Sequence, residues 1–147
     1  MTKREFVTQA HAAAVQSSQQ SGMPQRVTVS QAALESNWGQ SKLSEEAKNF
    51  FGIKAHAGHD RILMSTDECE HGARIVIKAE FAKYGSMLDC FQCRDGIIAR
   101  GAVYAGARAK LGDEAAFIAE IAKHWATDPK YAEKLRVVLN EVKGMLK

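Results

Sequence analysis

The sequence is short of cysteine, and this scarcity excludes one class of small protein. Its three thiols are Cys69, Cys90 and Cys93, and an odd number of cysteines cannot all pair within one chain. Small secreted domains that depend on disulfides carry a dense and even set of them. We therefore expect a protein that is made in a reducing compartment and folds around a hydrophobic core, without a disulfide framework.

Long hydrophobic runs are missing as well. A membrane-spanning helix needs about 18 or more consecutive apolar residues, and no such run occurs. The N-terminal stretch MTKREFVTQAHAAAVQ carries charges and lacks the continuous apolar core of a signal peptide. We expect synthesis in the cytoplasm without a signal peptide, and no insertion into a membrane.

An excess of charge of one sign is also absent. The formal net charge is only +3, with both signs mixed along the chain, and basic residues are not interleaved with aromatic ones as on a base-stacking surface. We therefore expect no nucleic-acid partner. A hydrophobic content of 46% and a charged content of 25% are typical of a globular protein, and 147 residues suit one domain, 1–147.

The histidines and cysteines do not form a metal-binding pattern. Cys90 and Cys93 make a CxxC pair, and the other candidates are Cys69, His56, His59 and His71. A structural zinc site combines two closely spaced ligand pairs, whereas these candidates are of mixed type and poorly spaced. We expect neither a metal nor a cofactor, and we predict that Cys90 and Cys93 share a buried helix face.

Hydrophobic spacing predicts mostly helices. Apolar residues recur at helical intervals over 3–19, 86–99 and 113–126, and Asp128 before Pro129 predicts the start of a last helix. The passage around 44–46 is predicted to be rich in turns.

Between Arg61 and Phe81 the period changes to two, which predicts a hairpin that turns near His71-Gly72. Its second strand would place Ile75, Ile77, Ala79 and Phe81 on one face. Together with the helices, this hairpin predicts an α+β fold that is mainly α-helical, with a small β-hairpin lobe.

One carboxylate stands out in the stretch TVSQAALESNWGQS, residues 28–41. Thr28 and Gln31 have the spacing of a capping box, which predicts a helix start, and Gly39 suits a left-handed stop. Glu35 then lies in the last turn, where the helix carbonyl groups disfavour an anion. Any burial would raise the pKa of Glu35 further, so the pattern favours a protonated acid. The alternative is a solvated surface glutamate.

Five segments together resemble a known family: AALESNWGQSKL, NFFGIKA, TDECEHG, FAKYGS and ATDPKYAEKL. In order and approximate spacing they are similar to glycoside hydrolase family 73, the glucosaminidase family, over about 31–135. The resemblance implies a lysozyme-like, two-lobed fold with a β-hairpin lobe flanking a substrate groove. It also implies cleavage of the β-1,4 bond between N-acetylglucosamine and N-acetylmuramic acid in peptidoglycan.

The resemblance assigns catalytic roles to two carboxylates. Glu35 falls on the family's general acid. Glu68 best matches the second carboxylate on the hairpin, with Asp67 and Glu70 as close competitors. Such a group acts as the base of an inverting enzyme or as a nucleophile, unless the N-acetyl group of the substrate attacks instead. These three mechanisms stay open.

The resemblance also implies a set of residues that bind the glycan: Trp38, Asn49, Phe51, Trp125 and Tyr131. Trp125 stands where many family members have tyrosine, and an indole offers a donor but no acceptor. Either the task of that tyrosine is dispensable, or Tyr131 or Tyr104 performs it, or activity is reduced. For Asn49 the alternative is a bond to the backbone, and for Trp38, Phe51 and Trp125 it is a place in the core.

The expected function is lysis of the bacterial cell wall by a monomer whose partner is the glycan strand of peptidoglycan. We expect it to act in the periplasm after phage lysis or dedicated secretion. The alternatives are a lytic transglycosylase and a non-catalytic peptidoglycan-binding protein.

Overall fold

The structure is a computed structural model. It describes the backbone of the whole chain and the side chains of residues 1–65 and 71–147. Helices predominate in the order α1 (Lys3–Ser21), α2 (Gln25–Ser36), α3 (Lys42–Ala47), α4 (Met87–Arg100), α5 (Ala105–Arg108), α6 (Glu114–Ala122) and α7 (Tyr131–Met145). Between α3 and α4 lies a hairpin of β1 (Asp60–Glu70) and β2 (Ala73–Lys83), and a 3₁₀ turn precedes α5. In the described part of the chain, no helix is long and apolar enough to cross a membrane.

Helix α2 begins earlier than the sequence predicted. Its first residue is Gln25, after Pro24, so the predicted capping box at Thr28 and Gln31 is wrong. The Thr28 hydroxyl instead donates to the Pro24 carbonyl at 3.2 Å. The side-chain oxygen of Gln31 accepts hydrogen bonds from Arg94 of α4. The left-handed cap is Asn37, with φ 50°, rather than Gly39. Glu35 nevertheless lies in the last turn, as predicted.

Three other features of the helices differ from their predictions. The passage around 44–46 is helical, because the Ser41 hydroxyl accepts from the backbone N–H of Ser44 at 3.1 Å and caps α3. Helix α6 ends at Ala122 instead of 126, and α7 begins at Tyr131 because the Asp128 carboxylate caps a preceding turn by accepting from the Lys130 N–H. Residues 123–130 therefore form a non-helical connection rather than helix.

The hairpin confirms the predicted turn. His71 and Gly72 have φ of 52° and 78°, the left-handed pair of a type I′ turn that matches the twist of antiparallel strands. The TDECE residues before it belong to β1 rather than to a longer turn. On β2 the predicted face of Ile75, Ile77, Ala79 and Phe81 is less exposed than the residues between them, so the period of two is confirmed.

The core consists of two hydrophobic clusters. One gathers apolar side chains of α1, α2 and α4 with Phe50 and Phe51, and the other packs α6 and α7 against the 3₁₀ turn and α5. Partly buried Ile97 and Trp125 contact both clusters. With the hairpin at one side, this arrangement confirms the predicted mainly helical, two-lobed α+β fold.

The CxxC pair of α4 faces this core, as predicted. Cys90 is buried, Cys93 is half-buried, and both are free thiols. Burial raises the pKa of the Cys90 thiol to about 12, so this cysteine is an unreactive packing residue.

Candidate active site

A groove of about 1140 Å³ lies between the helical lobe and the hairpin. Its walls come from the end of α2, from α3, from the hairpin, and from the 123–130 connection with the start of α7. The residues that line the groove include Glu35, Phe51, Gly52, Tyr104, Trp125 and Tyr131.

Glu35 reaches this groove from the last turn of α2 and is half-buried. The backbone at Gly52 passes close by: a Cβ on Gly52 would lie 3.8 Å from Oε2 of Glu35. Gly52 has φ 68°, a left-handed conformation that glycine adopts without strain. Burial raises the pKa of Glu35, and contact with Tyr131 opposes that rise. The predicted effect of burial is thus confirmed, and among the described side chains no lysine or arginine contributes to the pKa of Glu35.

Tyr131, the first residue of α7, places its phenol behind the acid. Its side chain is buried, and the hydroxyl has no hydrogen-bond partner among the described residues, although Glu35 and Gln31 both influence its pKa. Burial, and next the charge of Glu35, raise the pKa of Tyr131 well above the ordinary tyrosine value. The phenol therefore stays protonated at neutral pH and can donate.

Trp125 forms part of an aromatic wall of the groove. Its ring lies edge-on to Phe51 at 6.2 Å and tilted against Tyr104 at 6.2 Å. Trp125 is half-buried, packs against both core clusters and also borders the groove, and its role in glycan binding stays a prediction. Phe51 is almost fully buried, and its ring packs at a tilt against Phe91 with 5.2 Å between ring centroids. It is therefore mainly a core residue, although it also borders the groove.

The structure does not bring Trp38 into the groove. Its indole is buried against Phe6, with 6.3 Å between ring centroids, and the Lys3 ammonium lies 4.6 Å from the indole centroid. Trp38 also has a left-handed φ of 56°, unusual for a bulky residue. That turn directs the ring into the core, which is why its position next to Glu35 in sequence does not make it a neighbour of the groove.

Asn49 is likewise outside the groove and serves the backbone. Its amide N–H₂ donates to the carbonyls of Ile53 and Ala82 at 2.8 and 2.9 Å, and its Oδ1 accepts from the N–H of Ile53 at 3.1 Å. Of the two predicted alternatives, the bond to the backbone is confirmed. Asn49 thereby holds the loop that carries Phe51 and Gly52 against the end of β2.

The second catalytic carboxylate that the sequence predicts belongs to residues whose side chains the structure does not describe. The side chains of Asp67, Glu68 and Glu70 lie outside the described residues, so Glu68 and its two competitors stay predictions. Among the side chains that are described, no group of three histidine, cysteine, aspartate or glutamate residues could hold a metal ion.

Comparison with known proteins decides the family. A family model described as "Glucosaminidase: Mannosyl-glycoprotein endo-beta-N-acetylglucosaminidase" matches residues 11–144. The chain belongs to the glucosaminidase family. The resemblance to glycoside hydrolase family 73 is thereby confirmed.

Relatives and a solved structure agree with this assignment. The chain is 34% identical to Exo-glucosaminidase LytG of Bacillus subtilis over 78% of its own length and 43% of that protein. It is 32% identical to Peptidoglycan hydrolase FlgJ of Salmonella typhimurium over 97% of its length and 47% of that protein. The chain thus spans about half the length of these curated relatives. A crystal structure of a peptidoglycan hydrolase mutant from Sphingomonas sp. A1 superposes with a TM-score of 0.87 at 32% identity, covering 97% of both chains.

Sequence reasoning missed one feature of this glucosaminidase domain, a buried ion pair behind the groove. Arg94 is fully buried and its Nη1 lies 3.0 Å from Oδ1 of Asp95. A signal existed: Arg94 lies four residues after Cys90 and four before Ile98, both on the buried face of α4, so helical spacing places it inside. A charged residue at such a position needs partners, and besides Asp95 the Arg94 guanidinium donates to the Oε1 of Gln31 at 2.9 and 2.7 Å.

Proposed function

We propose that this glucosaminidase domain is a peptidoglycan hydrolase, an endo-β-N-acetylglucosaminidase that cleaves the β-1,4 bond between N-acetylglucosamine and N-acetylmuramic acid. Glu35 is the general acid. The observation that carries the proposal is a half-buried carboxyl in a groove, whose pKa is raised by burial and which has no cationic partner among the described side chains to hold it ionised. Glycosidases need such an acid because it must still hold its proton near neutral pH.

The relatives support the substrate but not the pattern of cleavage. One is named a peptidoglycan hydrolase and another an exo-glucosaminidase, and the chain covers about half of each. The family description names endo cleavage, which favours attack within the strand. We further propose that the domain acts on the cell wall in the periplasm, reached after phage lysis or dedicated secretion, and as a monomer.

Each groove residue has a part in the proposed reaction. The Glu35 carboxyl gives its proton to the glycosidic oxygen as the bond to the anomeric carbon breaks. Tyr131 then donates a hydrogen bond to the carboxylate that results, which stabilises the new charge. Water completes the reaction at the anomeric carbon, activated by a hairpin carboxylate, with Glu68 preferred to Asp67 and Glu70, or after attack by the N-acetyl group of the substrate.

Trp125 supplies a flat surface on which a sugar ring can stack, and the edge of Phe51 extends it. An indole cannot replace the acceptor or the titratable proton of a phenol. Tyr131, which contacts Glu35, is better placed for that task than Tyr104, which packs on His124 and Trp125.

Mass spectrometry of digested peptidoglycan tests the reaction. We expect fragments with reducing N-acetylglucosamine ends, and long fragments early in the digestion, because an endo enzyme cuts within the strand. Anhydromuramic ends would identify a lytic transglycosylase instead, and an intact but bound sacculus would identify a non-catalytic binding protein. Release of single terminal residues from the start would contradict endo cleavage.

The pH dependence of cleavage should reflect the buried acid. Because burial raises the pKa of Glu35, the alkaline limb of kcat/KM should lie above the ordinary pKa of glutamate. The same shift links to stability: a carboxyl whose pKa is raised on folding stabilises the fold most below the unfolded pKa, and this contribution is lost as pH rises through the folded pKa. Measurement of kcat/KM on a soluble glycan substrate from about pH 4 to 9 gives the apparent pKa of the alkaline limb. An apparent pKa equal to that of an ordinary glutamate would contradict the assignment of Glu35 as the acid.

A further inference from the structure

One polar group at the border of the groove has no partner among the described residues, the hydroxyl of Tyr104. We propose that Tyr104 is a specificity-determining residue, whose hydroxyl donates a hydrogen bond to the carbonyl oxygen of an N-acetyl group of the glycan while the acetyl methyl packs on the apolar groove wall beside Trp125. The inference rests on the proposed peptidoglycan hydrolase function and deepens it by naming the group of the substrate that is recognised. It predicts a preference for N-acetylated over de-N-acetylated strands.

The Tyr104 hydroxyl is open to the groove. Tyr104 is only 7% exposed, yet it lines the groove. Its hydroxyl forms no hydrogen bond within the described part of the chain, but it is not enclosed by protein, in contrast to the partnerless hydroxyls of Tyr84 and Tyr131. A hydroxyl that is neither bonded nor enclosed, on a side chain that borders the groove, is accessible to a ligand there. Tyr131 cannot contribute this contact, because its own hydroxyl is fully buried.

The groove wall around this hydroxyl is apolar. Tyr104 belongs to the core cluster that packs α6 and α7 against the 3₁₀ turn. Four partly buried hydrophobic residues pack against the same cluster and also line the groove, and we call them the apolar patch: Leu34, Ile97, Trp125 and Ala126. Ligand sites typically combine such an apolar lining with a few polar groups that fix orientation. The patch and the Tyr104 hydroxyl therefore suit a ligand group that is largely apolar and carries one hydrogen-bond acceptor.

The Tyr104 ring is held in place by its neighbours. Its centroid lies 6.0 Å from that of His124 in an edge-on contact and 6.2 Å from that of Trp125. Gly101 leaves room for the ring, because a Cβ at that position would lie 2.9 Å from Cδ2 of Tyr104. Burial raises the pKa of Tyr104, so the phenol stays protonated at neutral pH and can donate. A donor that is already ordered loses little conformational entropy when a ligand binds.

An N-acetyl group has the chemistry that this part of the groove requires. The acetamido group joins one strong acceptor, the amide carbonyl, to an apolar methyl. Sugar hydroxyls both donate and accept, and their burial against the apolar patch without partners would cost free energy. Burial of the acetyl methyl on the patch should instead strengthen binding about 4-fold. Of these groups, the N-acetyl group alone uses both the patch and the Tyr104 donor.

The lactyl group of N-acetylmuramic acid fits the apolar patch less well. It ends in a carboxylate or continues into a peptide, and burial of a charge or of peptide groups against apolar side chains is costly. The lysines described at the groove are Lys42 of α3, Lys54 before β1, Lys78 of β2 and Lys134 of α7, and none of them belongs to the patch. The N-acetyl group is therefore the substituent that we assign to Tyr104.

Binding of soluble glycan strands tests the proposal without turnover. The proteins are E35Q, which should bind without cleaving, and E35Q/Y104F. The probes are peptide-free glycan strands of peptidoglycan and the same strands after removal of their N-acetyl groups. We expect Y104F to raise the dissociation constant of N-acetylated strands about 5-fold, the usual effect of one hydrogen bond between neutral groups, and that of de-N-acetylated strands by less than about 2-fold. Isothermal titration calorimetry measures these constants.

Two controls isolate the hydrogen bond. Re-acetylation of the stripped strands with acetic anhydride should restore the full effect of Y104F, which excludes damage to the strands. E35Q/Y84F makes the same chemical change at a tyrosine outside the groove and should bind both kinds of strand as E35Q does. The charge of the free amines acts on both proteins alike, so the comparison of proteins removes it. Because the Tyr104 hydroxyl has no described partner to lose, Y104F should also unfold at an unchanged temperature.

The outcomes that would overturn the proposal differ from those that would overturn the proposed function. An equal loss of affinity for both kinds of strand, or no loss for N-acetylated strands in folded E35Q/Y104F, would contradict the role of Tyr104. A fully active E35Q would instead overturn the role of Glu35 as the acid. The same comparison of the two kinds of strand, then measured as kcat/KM, would still decide on Tyr104.

Discussion

Replacing Glu35 with glutamine should lower the rate of peptidoglycan cleavage by about 10²–10⁴-fold, the usual contribution of a general acid. Glutamine has the shape of glutamate and can accept from Tyr131, but it has no proton acidic enough to give to the glycosidic oxygen. Binding to the sacculus should persist, because the aromatic wall of Trp125 is unchanged. Release of soluble muropeptides at matched enzyme concentration measures the rate, and sedimentation with purified sacculi measures binding.

The matched control is Glu45→Gln, the same chemical change at an exposed residue of α3. It should cleave at the unsubstituted rate. E35Q should also unfold at the same or a higher temperature, because it removes a carboxyl whose ionisation burial opposes. If E35Q kept full activity, Glu35 could not be the acid, and the proposed function would lose the residue on which it depends.

Replacing Arg94 with methionine should cause the largest loss of stability, about 3–5 kcal/mol in the free energy of unfolding, because breaking a buried pair leaves an uncompensated charge. Asp95 is buried and would keep only the hydroxyls of Ser17 and Ser21 and no cation. The carbonyl oxygen of Gln31 would lose both of its donors from Arg94. Equilibrium unfolding in urea, read by circular dichroism, measures the change.

Two further variants test whether the unpaired charge of Asp95 causes the loss of stability in R94M. R94M/D95N removes both charges and should be less destabilised than R94M, since an asparagine at 95 costs less to bury than a lone carboxylate. Arg136→Met changes an exposed arginine of α7 and should alter stability by no more than about 0.5 kcal/mol. An R94M protein as stable as R136M would mean that Asp95 does not depend on Arg94.

Local chemistry explains the parts of the fold that were predictable. The His71-Gly72 turn needs two residues that tolerate a left-handed backbone, and the alternation along β2 needs one covered face, so both could be read from neighbouring residues. Helix ends were less predictable. Thr28 and Gln31 have the spacing of a capping box, yet both side chains bond to Arg94, from α4, so a distant partner displaced the local pairing.

The residues of the candidate site were also predictable only in part. The five segments identified the family from residues alone, and they pointed to Glu35 as the candidate acid. The sequence could not place Trp38, because a left-handed turn at that residue rotates its indole into the core instead of toward the acid. Asn49 was read correctly only as one of two alternatives, since whether an amide finds backbone or substrate depends on which loops approach it.

The sequence by itself determined the family, the mainly helical fold with one hairpin, and the acid in the last turn of α2. Only the tertiary structure decided what surrounds that glutamate: the backbone of Gly52 passes near its carboxyl, and Tyr131 influences its pKa. The physical reason is that helical and strand periods specify which face of an element is covered but not by what. The pKa of a carboxyl depends on those covering groups, which here include Tyr131 of α7 and Gly52 of the loop after α3.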